Sequence, residues 1–271
     1  MDDYRRINKV ATEYKKIVDR RHEGMWHLVK SLEFTCKWHK KYVDDALPVY
    51  YDEYKPGSLV FVDFGLNVGS EFSKPHFAIV LNKSDNKRSA NLTVIPLTSK
   101  KSAHVLGIND SIFNNTIQHL DENLETLKNS VDKYKEDLKE INKKITKTAN
   151  DLNVESEGKT TITLCMDLIS KSKDSEAETR QVVIDHAEDL LQSIGRLNAK
   201  LREQEECMKL TEIVRTQYKK YDKKSFVVYK SIQTVSKLRV KKINRFDPSG
   251  SIQISKATFD EIKNVTLNYI F

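Results

Sequence analysis

The chain has 271 residues, 31% charged and 38% hydrophobic, and its 46 Lys and Arg outnumber its 39 Asp and Glu to give a formal charge of +7. That length fits one or two domains, and that apolar share is too small for an all-core globule and too large for a disordered chain. No run approaches the ~18 consecutive apolar residues of a membrane span, and the opening Met1-Asp2-Asp3-Tyr4-Arg5-Arg6 lacks the apolar stretch of a secretory leader, so neither a membrane partner nor export is expected.

Residues 3–43 read as two helices. Tyr4, Ile7, Val10, Tyr14, Ile17 and Val18 form one apolar stripe at helical spacing, and Met25, Leu28, Val29, Leu32 and Cys36 form a second, with Gly24 between them. Both stripes are expected to pack against the rest of the protein. The basic face of Arg5, Arg6, Lys9, Lys15, Lys16, Arg20 and Arg21 is the alternative use, as a surface for RNA.

Residues 48–108 are turn-rich. Four of the five prolines, at 48, 56, 75 and 96, fall here, as do Gly57, Gly65 and Gly69. Three runs between the turns read as strands: Ser58–Phe64, Phe77–Leu81 and Asn91–Leu97, β-branched or aromatic and separated by polar turns. Short strands at this spacing suggest a small barrel or a tightly coiled sheet.

No proline lies between 96 and 248, and from Ile117 the period changes. Ile117, Leu120, Leu124, Leu127, Val131, Tyr134, Leu138, Ile141, Ile145 and Leu152 follow 3-4 spacing, which predicts a coiled-coil helix. At ~1.5 Å per residue its seam is on the order of 50 Å long, too long for a small sheet to cover, so it needs a partner helix. Val183, Leu190, Ile194, Leu197, Leu201 and Met208 supply one, over about 175–222, and an antiparallel hairpin within the chain follows. Pairing with a second copy is the alternative. The tip, Asn150 to Ser175, holds the turn Glu155-Ser156-Glu157-Gly158 and the β-prone Thr160–Leu164.

Strand character returns in Ser225–Tyr229, Ser231–Val235 and, after the turn at Asp247-Pro248-Ser249-Gly250, in Ser251–Ile254. A final helix from Lys256 carries Phe259, Ile262, Val265, Leu267 and Ile270. The expected fold is α+β: an N-terminal helical extension (1–50), a sheet domain split in sequence (51–108 and 225–271), and an inserted coiled-coil hairpin (109–224). Residues 109–224 carry 20 basic and 23 acidic side chains, a net −3, which leaves +10 of the total +7 on the remainder. Attraction for a nucleic acid therefore falls outside the hairpin.

Cys36, Cys165 and Cys207 are an odd number, far apart, with no CxxC pair, which points to neither a disulfide framework nor a structural zinc site. A reduced, cytoplasmic setting is the simplest expectation. The seven histidines show no HxxxH or HExxH spacing, and no G-x-x-x-x-G-K-[ST] loop is present, so neither a metal nor a nucleotide cofactor is expected.

Three stretches, in order, resemble the MazF/PemK family, the toxin half of toxin–antitoxin pairs. The first is Pro56-Gly57-Ser58-Leu59-Val60-Phe61-Val62-Asp63-Phe64 with Asn67-Val68-Gly69-Ser70-Glu71. The second is Pro75-His76-Phe77-Ala78-Ile79-Val80-Leu81-Asn82 with Val94-Ile95-Pro96-Leu97-Thr98-Ser99. The third is Ile232-Gln233-Thr234-Val235-Ser236-Lys237-Leu238-Arg239. They cover roughly residues 55–104 and 225–271, under half the chain.

The resemblance implies an SH3-like barrel, a homodimer, a cognate antitoxin, and metal-independent cleavage of single-stranded RNA by attack of the ribose 2′-OH on the adjacent phosphate. That chemistry needs a base, an acid and positive donors around the phosphate. The family's activity is attributed to a Thr after the third strand, matched here by Thr98, and to an Arg before the second, where this chain has Pro75 with Lys74 and His76 on either side. Proline carries no charge and no donor; Lys74 supplies charge without a bidentate fork; His76 titrates near neutral pH. The implied catalytic set is Thr98, His76 and Lys74. Ser70, Glu71 and Ser73 in the first loop, Ser99, Lys100 and Lys101 beside Thr98, and Lys237 and Arg239 in the third motif are the implied RNA contacts. Gln233 stands where the family has a second Arg.

Overall fold

The computed structural model describes residues 2–108, 112–172, 177–221 and 224–270. The chain divides into two compact units, Met1–Thr116 with Tyr218–Phe271, and Ile117–Gln217. Among the described residues no helix is long and apolar enough to cross a membrane.

The first unit is built on antiparallel strands. These are β1 (Leu59–Asp63), β2 (Pro75–Val80), β3 (Asn91–Thr98), β4 (Leu106–Ile108), β5 (Ser225–Val227), β6 (Gln233–Ser236) and β7 (Val240–Lys241). Their order is β4-β5-β3-β2-β1-β7, with β6 also paired to β3. The fold is α+β, and this strand path is open at β4 and β7. The register Leu59–Ile79–Ile95 runs across the three central strands, and all three side chains are fully buried. The alternate residues Val60, Val62, Ala78, Val80, Leu92 and Val94 point the other way into a second buried cluster with Tyr54, Phe64 and Val235. Burial on both faces explains why the strands read as near-continuous apolar runs. Each Val, Leu or Ile so buried contributes about 1.5–3 kcal/mol. The expected strand at Ser251–Ile254 is not one: only a single bridge joins Ser58 and Gln253 there.

Two helices precede the sheet, α1 (Asp2–Asp19) and α2 (Leu28–Val43), joined through a short 3-10 turn at Glu23–Met25. The expectation that both stripes pack against the rest of the protein is overturned for α1, which buries none of its described residues. Ile7, Val10, Ala11 and Tyr14 face Val29 and Leu32 of α2 across an open apolar groove of about 1010 Å³. A single anchor, Leu28 at the start of α2, is buried.

In the second unit lie most of α3 (Ile112–Asp151), α4 (Thr161–Lys171) and most of α5 (Ala177–Tyr221). Leu120, Val131 and Ile145 of α3 and Ala187, Ile194 and Val214 of α5 are buried, as a seam requires. Cross-pairs Asp121–Arg215 and Lys135–Glu205 (3.6 Å) set α5 antiparallel to α3 within one chain. The β-prone Thr160–Leu164 is helical instead. Thr160 caps α4 by accepting from the Thr163 amide, and Leu164, Cys165 and Leu168 pack at helical spacing onto Ile145, Ala149 and Val154. Leu152, placed on the seam by its spacing, is 41% exposed. The expected end of the tip at Ser175 and of the returning helix at 222 lie outside the described residues. The last element, α6 (Lys256–Ile270), belongs to the first unit and buries Ile262 and Thr266.

Candidate functional site

The ends of β2 and β3 carry the chemistry. Pro75 opens β2, a strand position where its missing N–H costs nothing. The β2–β3 ladder ends at the pair Ala78–Pro96, and beyond it His76 pairs with Val62 of β1 while Thr98 pairs with Phe226 of β5. His76 and Thr98 line one cleft of about 260 Å³ together with Ser99, Phe113, Lys220 and Tyr221. Thr98 Oγ1 accepts from the Lys100 amide at 3.2 Å, which leaves its own proton available to an incoming acceptor. His76 is half-buried against the edge of Phe72, ring centroids 4.7 Å apart. Burial pushes its pKa below the ordinary histidine value; a hydrogen bond with the Leu97 backbone opposes that, and the nearby Lys74 charge adds to it. The ring is therefore neutral at pH 7, the form that accepts a proton.

Lys74 is not brought into this cleft. Its backbone has φ +73°, and its amide closes the β1–β2 loop by donating to Gly65 O at 2.6 Å. Its ammonium sits 5.7 Å from the ring centroid of Trp26, which is 61% exposed. Gly65, with φ +79°, sits in a backbone conformation that strains other residues, and a Cβ there would press on Arg239 Nη1 at 3.0 Å and Ser31 Oγ at 3.2 Å.

A second, larger groove of about 690 Å³ runs between this loop and the segment around β6, with Ser70, Glu71, Lys230, Gln233 and Arg239 on its walls. Ser73 is spent inside the loop: its Oγ donates to Glu71 O and accepts from the Asn67 amide, both at 3.0 Å. Arg239 donates to Asp63 O at 3.1 Å and lies against the Phe34 ring. Lys100 and Lys101 are exposed beyond the end of β3.

Lys237 is corrected outright. Its side chain is 2% exposed, and its three protons go to Asp85 Oδ2 (2.6 Å), Asp52 O (2.9 Å) and Asn86 O (3.0 Å). The Asp85 carboxylate is fully enclosed, so the pair is part of the framework and none of its charge is left for a phosphate.

The motifs did not single out Lys220, Tyr221 and Phe113 at the cleft, or Lys230 at the groove. The available signal was the aromatic pair Tyr218 and Tyr221 at the point where the α5 seam pattern stops. The reading of the N-terminal segment also missed His27. Its Nε2 lies 3.0 Å from Asp63 Oδ1, and both residues are buried. An ionised carboxylate only accepts, so Nε2 carries the proton. The same oxygen accepts from the Gly65 amide at 3.0 Å, and Nδ1 has no hydrogen-bond partner among the described residues. Lys241, 3.9 Å from the Phe34 ring centroid, is held below the usual lysine pKa by burial, against the pull of Asp63.

Among the described residues no group of three or more His, Cys, Asp or Glu is arranged to hold a metal ion. Comparison of the sequence with models of known families and with characterised proteins gives no match.

Proposed function

We propose that this protein is an endoribonuclease that cuts single-stranded RNA without a metal, on a sheet domain of the MazF/PemK type. The observation that carries the reading is that His76 and Thr98, from the two halves of the second resembling stretch, line one cleft. In the reaction, neutral His76 takes the proton of a ribose 2′-OH as O2′ attacks the adjacent phosphorus. Thr98 donates to a non-bridging phosphate oxygen as charge builds there. The P–O5′ bond breaks, the 5′-oxygen takes a proton from water or from protonated His76, and a 2′,3′-cyclic phosphate remains. Lys100, Lys101 and Lys220 supply positive potential close to the cleft, and Arg239 in the larger groove is a further phosphate donor. Ser70, Glu71 and Ser99 are the polar contacts for the RNA. This reading takes the sheet as an SH3-like barrel and brings with it a homodimer, a cognate antitoxin and a cytoplasmic setting.

Pro75 and Gln233, where the family has arginines, favour a second reading: a catalytically weak RNA- or protein-binding module of the same fold, with the coiled coil as the interaction element. One experiment separates the two. Purified protein is incubated with a long single-stranded RNA in EDTA beside Thr98→Ala and His76→Ala. Discrete cuts in the wild type that disappear in both variants are expected. RNA that is bound and left whole supports the binding module, and cutting unaffected by Thr98→Ala rules out the assigned site.

A further inference from the structure

The ends of the inserted helices add something to the cleft that the sheet alone lacks. Phe61 of β1, Phe77 of β2, Phe113 in the first turn of α3, and Tyr218 and Tyr221 in the last turn of α5 form one aromatic cluster. The Phe77 ring centroid lies 5.0 Å from Phe61, 5.0 Å from Phe113, 5.7 Å from Tyr218 and 5.0 Å from Tyr221. Phe61 also reaches Tyr221, at 6.0 Å. Phe77, Phe113 and Tyr218 are buried, as rings that only fasten helix to sheet should be. Phe61 is half-buried, and Tyr221 is the exposed member of the cluster. It keeps 38% of its surface exposed and borders the cleft that holds His76 and Thr98.

We propose that Tyr221 is a stacking platform for a nucleobase, seating the nucleotide next to the phosphate held at His76 and Thr98. The identity of the ligand as single-stranded RNA rests on the reading above; the platform itself rests on the ring's position. Single strands are held by aromatic faces because every base has a π-face, so stacking grips RNA whatever its sequence. Tyr221 meets Phe77 at 85° and Phe61 at 50°, and with those two contacts made it still presents 38% of its surface for a base to cover. Neighbouring rings already fix its orientation, so little side-chain entropy is lost when a base docks. Burial pushes its phenol pKa up, which keeps the ring uncharged beside a polyanion. Lys220, the preceding residue, borders the same cleft and adds a positive charge to it, which favours a polyanion.

The test uses full-length protein and a short single-stranded RNA, 2′-O-methylated throughout so that no 2′-OH can attack, with one 2-aminopurine moved along the strand. Stacking quenches that fluorophore. Quenching at one register is expected in the wild type and in Tyr221→Phe. Tyr221→Leu, which keeps apolar contact with Phe77 and removes the ring face, should lose the quench and bind on the order of tenfold more weakly. A second measurement needs no variant: the same RNA carrying 5-iodouridine is irradiated on wild-type protein, and the crosslinked residue is mapped by mass spectrometry. A crosslink at Tyr221 is expected; one confined to other residues overturns the platform even if Tyr221→Leu fails to fold. Failure of the nuclease reading looks different. With no cutting of any unmodified RNA but a quench that depends on Tyr221, the platform stands and the catalytic assignment falls. With cutting that needs Thr98 but quench and affinity unchanged in Tyr221→Leu, the platform falls alone. Wild-type protein that binds no RNA and instead captures a protein partner at this cleft overturns both.

Discussion

His27 Nε2 donates to Asp63 Oδ1 across 3.0 Å, and this bond ties the turn between the two N-terminal helices to the end of β1. The same carboxylate oxygen accepts from the Gly65 amide, so one buried group holds both the helical extension and the first residues of the loop that runs to Lys74. Removing Asp63 strands two buried donors, at about 1–3 kcal/mol each. We expect Asp63→Ala and His27→Ala each to lower stability in urea denaturation, and the double variant to lose about 0.5–3 kcal/mol less than the two single losses combined. Amide exchange at Gly65 should rise in Asp63→Ala. Strict additivity in the double variant would mean that the bond does not couple the two elements.

Lys237 and the pair Lys100 and Lys101 make opposite predictions although all three are lysines in resembling stretches. Lys237→Met leaves Asp85 as an unpaired charge with no exposed surface, and breaking a buried pair from one side costs about 3–5 kcal/mol. Lys100→Ala and Lys101→Ala sit on the exposed side, where substitutions stay within about 0.5 kcal/mol. Chemical denaturation should therefore separate them, while RNA affinity at low salt should fall for Lys100→Ala and Lys101→Ala. Wild-type stability in Lys237→Met would count against the framework role.

These contrasts show what the sequence carried and what it could not. Periodicity placed α3 and α5, because a seam repeated over many turns leaves a pattern that no single contact blurs. Apolar runs placed β1, β2 and β3, because strands buried on both faces are apolar throughout. Thr160–Leu164 in the tip departs from its pattern: β-branched residues suggest a strand, but a Thr cap and packing of Leu164 and Leu168 onto α3 override propensity. The stripe on α1 suggests core, as amphipathic faces usually do, yet what covers a stripe is not encoded in the stripe. Lys237 looked like a phosphate contact because a motif gives residue type without burial; only the fold brings Asp85 and two carbonyls around it. Tyr221 belongs to the cleft for a related reason, since it lies over 120 residues from Thr98 in sequence and the topology alone joins them.

Tyr218 donates to Asp247 Oδ1 at 2.8 Å, and Asp247 also accepts from the Ile243 and Ser249 amides. This clamp fixes the last turn of α5 to the polypeptide that follows β7. Burial, then the Asp247 charge, raises the Tyr218 pKa far above the ordinary value. The folded protein thus keeps a proton that the unfolded chain releases above about pH 10. Stability from this group is complete below that pH and declines as pH rises past it. Tyr218→Phe should cost about 1.5–3 kcal/mol near neutrality, the worth of a hydrogen bond to a charged group. It should also flatten the fall of melting temperature with alkaline pH. An unchanged alkaline slope would show that the phenol is not the group responsible.

His76 yields the corresponding prediction on the acid side. Its folded pKa is lowered by burial first and by Lys74 as well, so the unfolded chain binds the proton more readily once pH drops below the ordinary histidine value of about 6.5. Stability contributed by neutral His76 is complete above that value and is lost as pH falls through the folded pKa, and His76→Phe should remove this loss from the melting profile. Activity should follow the same group. With neutral His76 as the base, the acid limb of kcat/KM for RNA cleavage falls below pH 6.5, and Lys74→Ala moves it upward by removing a charge that opposes protonation. A limb at or above the ordinary histidine value, or one unmoved by Lys74→Ala, would assign the base to another group. The RNA's own phosphates titrate far below this range and leave the limb to the protein.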